Sequence, residues 1–163
     1  MSIFTKLILI SCFLSILNLV ESKTLRSRQA VKIDEKVKEA VIDLNSNRIS
    51  GFKIKQGLDY DIELVETYST EQDIYEIVLN EEQKQSSIYV FYVSYETDEI
   101  PPRTFSKRIL LCFLPPKDKL ANKMKSAKAC VDFRNSFNTL KIEIDRIDHS
   151  TRSEIISEIK NRK

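Results

Sequence analysis

The sequence predicts an α/β or α+β sandwich, a mixed sheet held between helical layers. Three observations lead there. Residues 87–97 (SIYVFYVSYET) and 107–114 (KRILLCFL) are too apolar to leave a wet face, so both read as central strands covered on each side. Amphipathic helical patterns precede, separate and follow the strands, and so supply the cover. At 163 residues without internal repeats, the chain suits one domain behind a short leader.

Within AVKIDEKVKEAVIDLNSN, the first element of the body, Val37, Ala40, Val41 and Leu44 recur at i, i+3, i+4, i+7. That spacing predicts a helix capped by Asp34 and ending at residues 45–47. Residues 51–55 (GFKIK) and 60–66 (YDIELVE) alternate around a Gln56-Gly57-Leu58-Asp59 turn and read as a strand pair. Residues 70–80 (TEQDIYEIVLN) predict a second helix, with a Thr70–Asp73 capping pattern. The two apolar strands flank a turn at 98–106 that holds Pro101, Pro102 and Arg103. Pro115-Pro116 stops the second strand and leads into a long helix, about 117–141. Its apolar residues form two stripes: Leu120, Met124, Ala127 and Val131, then Cys130, Phe133, Phe137 and Leu140. A last helix runs from residue 151 to about 160.

The first 22 residues stand apart. Lys6 precedes an uncharged, largely apolar run from Leu7 to Val20, and Val20-Glu21-Ser22 resembles a cleavage site before Lys23. This is a signal-peptide pattern, shorter than the roughly 20 residues a spanning helix needs. Residues 1–22 are therefore expected to be a cleaved signal, with an anchor or an unused leader as alternatives. A polar link, 23–29, separates them from the domain at 30–163. If the leader is used the chain is secreted; otherwise it stays in the cytoplasm. Cysteine usage points away from secretion, because only Cys112 and Cys130 remain after the leader, too few for a disulfide framework. There is no Asn-x-Ser/Thr sequon either.

Several chemistries are excluded. Two glycines, Gly51 and Gly57, cannot build a phosphate-binding loop or a dinucleotide fingerprint. The single histidine, His149, lies in a polar loop without a partner nucleophile or a second metal ligand. No enzyme, cofactor or metal is expected. Charge is unevenly spread: residues 23–99 hold 10 cations against 16 carboxylates, and residues 100–163 hold 15 against 7. On charge alone an acidic protein, a phosphoinositide head group, nucleic acid and two solvated faces of opposite sign all remain open. The long helix concentrates this charge in Lys119, Lys123, Lys125, Lys128 and Arg134.

The ordered set of stretches resembles the ADF/cofilin family over about residues 30–162. Ala30-Val31-Lys32-Ile33 is similar to the family's N-terminal Gly-Val-x-Val, and Phe52-Lys53-Ile54 with Glu63-Leu64-Val65 to its first hairpin. YVSYET (92–97) and RILLCFLPP (108–116) resemble its central strands, and Lys123-Met124 with Ala127 the start of its long helix. Residues 140–143 and Asp148 resemble the return strand and the loop before the last helix.

The resemblance implies a mixed sheet of five to six strands and a monomeric, non-catalytic protein that binds actin monomer and filament and promotes severing or depolymerisation. Phosphoinositides would be a second ligand of the basic half, and nucleic acid none. It places the monomer-type surface on Val31, Lys123, Met124 and Arg134, and the filament-type surface on Arg103, Lys107, Arg108, Glu158 and Lys160. It also aligns a family contact lysine with Cys130 and its aspartate with Val131, so affinity for actin is expected to suffer. The family's regulatory phosphoserine falls at Gln29, with Ser27 out of register. The alternative it leaves is a divergent domain with another partner, as in glia maturation factor, or an extracellular one.

Overall fold

The computed structural model describes residues 30–80, 84–148 and 150–161. The expected leader, the link with Ser27 and Gln29, and His149 lie outside them. The described chain forms four helices and five strands: α1 (Glu35–Asn45), β1 (Ile49–Lys55), β2 (Glu63–Ser69), α2 (Ile74–Asn80), β3 (Ser87–Glu96), β4 (Thr104–Phe113), α3 (Leu120–Phe137), β5 (Leu140–Ile144) and α4 (Thr151–Asn161).

The strands make one mixed sheet in the order β2-β1-β3-β4-β5. β1 pairs antiparallel with β2 and β3, β3 with β4, and only β4 and β5 run parallel. α3 is thus the crossover that a parallel pair requires. The apolar runs read from sequence are the central β3 and β4, aligned over ten residue pairs from Ser87↔Phe113 to Glu96↔Thr104. Period-two alternation sends their side chains to two cores. Ile88, Val90, Leu110 and Cys112 pack under α1 and α3, while Tyr89, Phe91, Val93, Ile109 and Leu111 pack under α2 and α4. Gly51 lets β1 approach β3, since a Cβ there would sit 2.9 Å from the Val90 carbonyl oxygen and 3.0 Å from Phe91 Cβ.

Four expectations move. The second strand is β2 at Glu63–Ser69, not 60–66; residues 60–61 instead bend, and Ile62 makes an isolated parallel bridge to Ile33. The second helix begins at Ile74, capped through Asp73, whose carboxylate accepts from Tyr75 N at 2.9 Å, so no Thr70 box forms. β4 starts three residues earlier than 107, at Thr104. α3 spans 120–137, because Asn138 takes a left-handed φ of 48° and its N–H returns to the Arg134 carbonyl. Leu140 accordingly belongs to β5, not to the helical stripe.

Cys112 and Cys130 are joined by a disulfide, with Cα atoms 6.5 Å apart. The sequence offered too few cysteines for a framework, yet strand and helix bring these two together in the core beneath α3.

Candidate functional site

α3 begins where the chain leaves β4 through Pro115-Pro116. Lys119 is its N-cap residue and makes no side-chain cap bond. The neighbouring Asp118 instead anchors the residues around this helix end. Its carboxylate accepts from Lys119 N (2.7 Å), Asn122 Nδ2 (2.9 Å), Ser86 N (2.8 Å) and Ser86 Oγ (2.6 Å). These donors, Ser86 foremost, hold the Asp118 carboxyl down at about 2. The start of the helix is thereby fixed to the segment before β3.

The two apolar stripes of α3 have different fates. Ala129, Cys130 and Phe133 are buried. Leu120, Met124 and Val131 are 71%, 64% and 45% exposed, with Ala127 half-buried between them. At 100° per residue the exposed stripe lies roughly 140° around the helix from the buried one. The same geometry puts Lys123 and Arg134 along one flank of that stripe and Lys128 along the other. Arg134 is exposed, and the Lys123 ammonium reaches back 3.4 Å to the Pro116 carbonyl.

The N-terminal segment is tied to this helix by Asp61. One carboxylate oxygen accepts from Lys32 N at 3.0 Å and the other from Lys128 Nζ at 3.1 Å. The backbone bond from Lys32, then the Lys128 ammonium, hold the Asp61 carboxyl below its usual range. Lys128 is held above its own usual range, by Asp132 first and Asp61 next. Lys32 also lies 4.7 Å over the Tyr60 ring. Val31 is half-buried and packs against the core beneath α1 and α3.

Of the residues expected at the first surface, Lys123, Met124 and Arg134 share α3, and Val31 belongs to the segment pinned beside it. The Asp61 clasp and the exposure of Leu120 and Val131 went unseen. Two separate apolar stripes on one helix were the available signal, since only one can face the sheet.

The second expected set divides. Arg103 sits in the β3–β4 turn with Nε 3.6 Å from Glu99, and Lys160 of α4 pairs with Asp98 of the same turn at 2.8 Å. Lys107 lines the open groove between that turn and α4, beside Tyr95, Phe105 and Ile159. Glu158, half-buried, lies two residues before Lys160 on α4. Arg108 points to the other face of the sheet, donating to Asn45 Oδ1 at 3.0 Å and to the Phe137 carbonyl at 2.6 Å. It closes the C-terminal end of α3 and is apart from the other four.

Cys130 is 0% exposed and bonded to Cys112, so its position is no outward contact. The deficit expected from a missing lysine there therefore has no structural basis. Among the described residues no group of three His, Cys, Asp or Glu side chains could hold a metal ion, and no helix is long and apolar enough to cross a membrane.

The chain matches the family described as cofilin/tropomyosin-type actin-binding protein over residues 30–160. No curated protein matches it by sequence. Among solved structures it is similar to Streptomyces griseoflavus cofilin, at 12% identity and a TM-score of 0.66, covering 80% of this chain and 98% of that one. It is similar to Plasmodium berghei actin depolymerization factor 2, at 14% identity and a TM-score of 0.63, over 80% and 96%. It is also similar to Caenorhabditis elegans glia maturation factor, at 15% identity and a TM-score of 0.58, over 77% and 96%. At such identities the likeness is one of fold.

Proposed function

The chain belongs to the cofilin/tropomyosin-type actin-binding family, and from that premise we propose that it binds actin through α3, taking up monomer first and acting on filaments through a second face to promote severing or depolymerisation. One observation carries the reading: a solvated helix that exposes Leu120, Met124 and Val131 in a row. An amphipathic helix of this kind lays its apolar stripe into a hydrophobic groove, read at i, i+4, i+7 and i+11. Lys123 and Arg134 beside the stripe meet the acidic rim of such a partner. Met124 is the anchor, since a flexible thioether fills an irregular pocket well. Binding, not catalysis, is what these residues support.

The filament-type face is Lys107 with Arg103, Glu158 and Lys160. Arg103 and Lys160 already have carboxylate partners in the β3–β4 turn. Each would have to exchange an internal ion pair for an external one, so monomer binding is the stronger activity. The same observation favours a second reading, a domain that uses α3 on a different partner, extracellular or of the kind glia maturation factor serves.

Co-sedimentation with filamentous actin, run beside a monomer-binding titration, tests both. The Lys123→Ala/Met124→Ala variant should bind monomer about tenfold more weakly or worse. A mature chain that binds neither monomer nor filament would leave the second reading.

A further inference from the structure

We propose that Cys112 and Cys130 are positioning residues for the binding face, their disulfide locking α3 to the centre of the sheet. The inference rests on the proposed function only where it reaches actin. α3 is 18 residues long and buries three side chains, Ala129, Cys130 and Phe133, all in its C-terminal half. Alanine contributes one methyl group. The half carrying Leu120, Lys123 and Met124 buries no side chain fully; it is held by the Asp118 bonds at its start, by the surface pair of Lys128 with Asp61, and through the C-terminal half by its three buried residues and Phe137. Cys112, the other end of the bond, sits in β4 with Ile88 of β3 on one side and Glu143 of β5 on the other. The cross-link therefore fastens a helix that buries three of its 18 residues to a strand paired on both edges.

Both half-cystines are 0% exposed. A reductant in solution reaches them only when α3 lifts, so the folded domain protects its own bond. Formation needs an oxidant, and a disulfide donor of the protein-oxidoreductase or glutathione class supplies it. One thiolate attacks the donor disulfide and expels a donor thiolate. The second cysteine then attacks the mixed disulfide and expels the other. Two protein thiols become one disulfide while one donor disulfide becomes two thiols. Such donors act in oxidising compartments, the destination that the signal-like pattern at 1–22 also predicts.

The test uses the chain produced through a secretory route, compared with the same protein reduced in denaturant and refolded, and with Cys112→Ala/Cys130→Ala. The oxidised chain should be lighter by two hydrogens and resist alkylation. It should lose the bond to a phosphine reductant only when denaturant is added. On reduction, amides of α3 should exchange at least about tenfold faster while central amides of β3 and β4 change far less. Binding of monomeric actin should weaken in parallel and return on re-oxidation. Alkylation of both cysteines in the secreted chain, or unchanged exchange in α3 after reduction, would overturn the lock. Loosening confined to α3, with no actin binding by either form, supports the lock and removes only the actin reading. Should the double variant fail to fold, reduced and refolded wild-type chain provides the same comparison.

Discussion

Asp118 shows how one carboxylate prepares a helix whose N-cap residue is a lysine. Its four hydrogen bonds stabilise the ionised form, and Ser86 supplies the largest share. The folded-state pKa, about 2, lies below the ordinary 3.8, so the contribution is whole above 3.8 and fades as the pH falls toward 2. Asp118→Ala should cost about 1 kcal/mol at neutral pH, the usual net worth of a hydrogen bond lost at a partly exposed site. Melting curves of the two proteins should converge through that acid window; a constant gap down to pH 2 would refute the assignment. A second residue-scale prediction concerns Cys130. Placing lysine there would break the disulfide and bury an unpaired ammonium at a site with 0% exposure. Cys130→Lys should lose about 3–5 kcal/mol of stability. Val131→Lys, at a site 45% exposed, should stay within about 0.5 kcal/mol of the parent in thermal melts. The two neighbours differ because a helix turns 100° between them.

At the scale of elements, β4 carries two adjacent cations to opposite faces. Arg108 joins β4 to Asn45 at the end of α1 and to the last carbonyl of α3. Arg108→Ala strands that carbonyl and should cost about 1.5–3 kcal/mol in denaturant unfolding. Lys107→Ala should leave unfolding within about 0.5 kcal/mol and lower filament co-sedimentation instead. Equal effects of the two substitutions on stability would contradict the alternation. This pair also marks how far the sequence could be read. Apolar runs located β3 and β4, and the i, i+3, i+4 spacing located α1, because burial on a regular period writes itself into the residues. The alternation across β4 was available in the same way, yet the resemblance grouped Lys107 with Arg108. β2 was displaced by three residues because Tyr60 and Asp61 continue its alternation while serving other ends, a platform for Lys32 and the clasp to Lys128. The disulfide was hidden for a different reason. Cys112 and Cys130 are 18 residues apart, and only the crossover geometry of α3 over β4 brings them together.

For the whole molecule, the uneven charge has a sharper form than halves of opposite sign. Part of the positive half is paired internally: Lys128 with Asp61 and Asp132, Arg146 with Asp148, Lys160 with Asp98, Arg103 with Glu99. Lys119, Lys125 and Arg134 are exposed and have no carboxylate partner among the described residues. The uncompensated field therefore gathers along α3, on the helix that also bears the apolar stripe. Long-range attraction of this kind raises the rate of encounter with an acidic surface more than the lifetime of the complex, and salt screens it over about 8–10 Å. Association of the chain with labelled actin monomer, followed by stopped flow, should slow about tenfold from low to physiological ionic strength. The Lys119→Ala/Lys125→Ala variant should flatten that dependence with little change in dissociation rate. Arg146→Ala, which removes a cation already paired with Asp148, should leave the dependence as it was. If both variants flatten it alike, net charge rather than its placement on α3 governs the encounter, and the steering role of the helix fails. If the dependence tracks the Lys119 and Lys125 variant alone, the fold has divided its cations by function: those paired inside hold turns and helix ends, and those left unpaired at the start of α3 and along it draw the partner toward the helix that bears the apolar stripe.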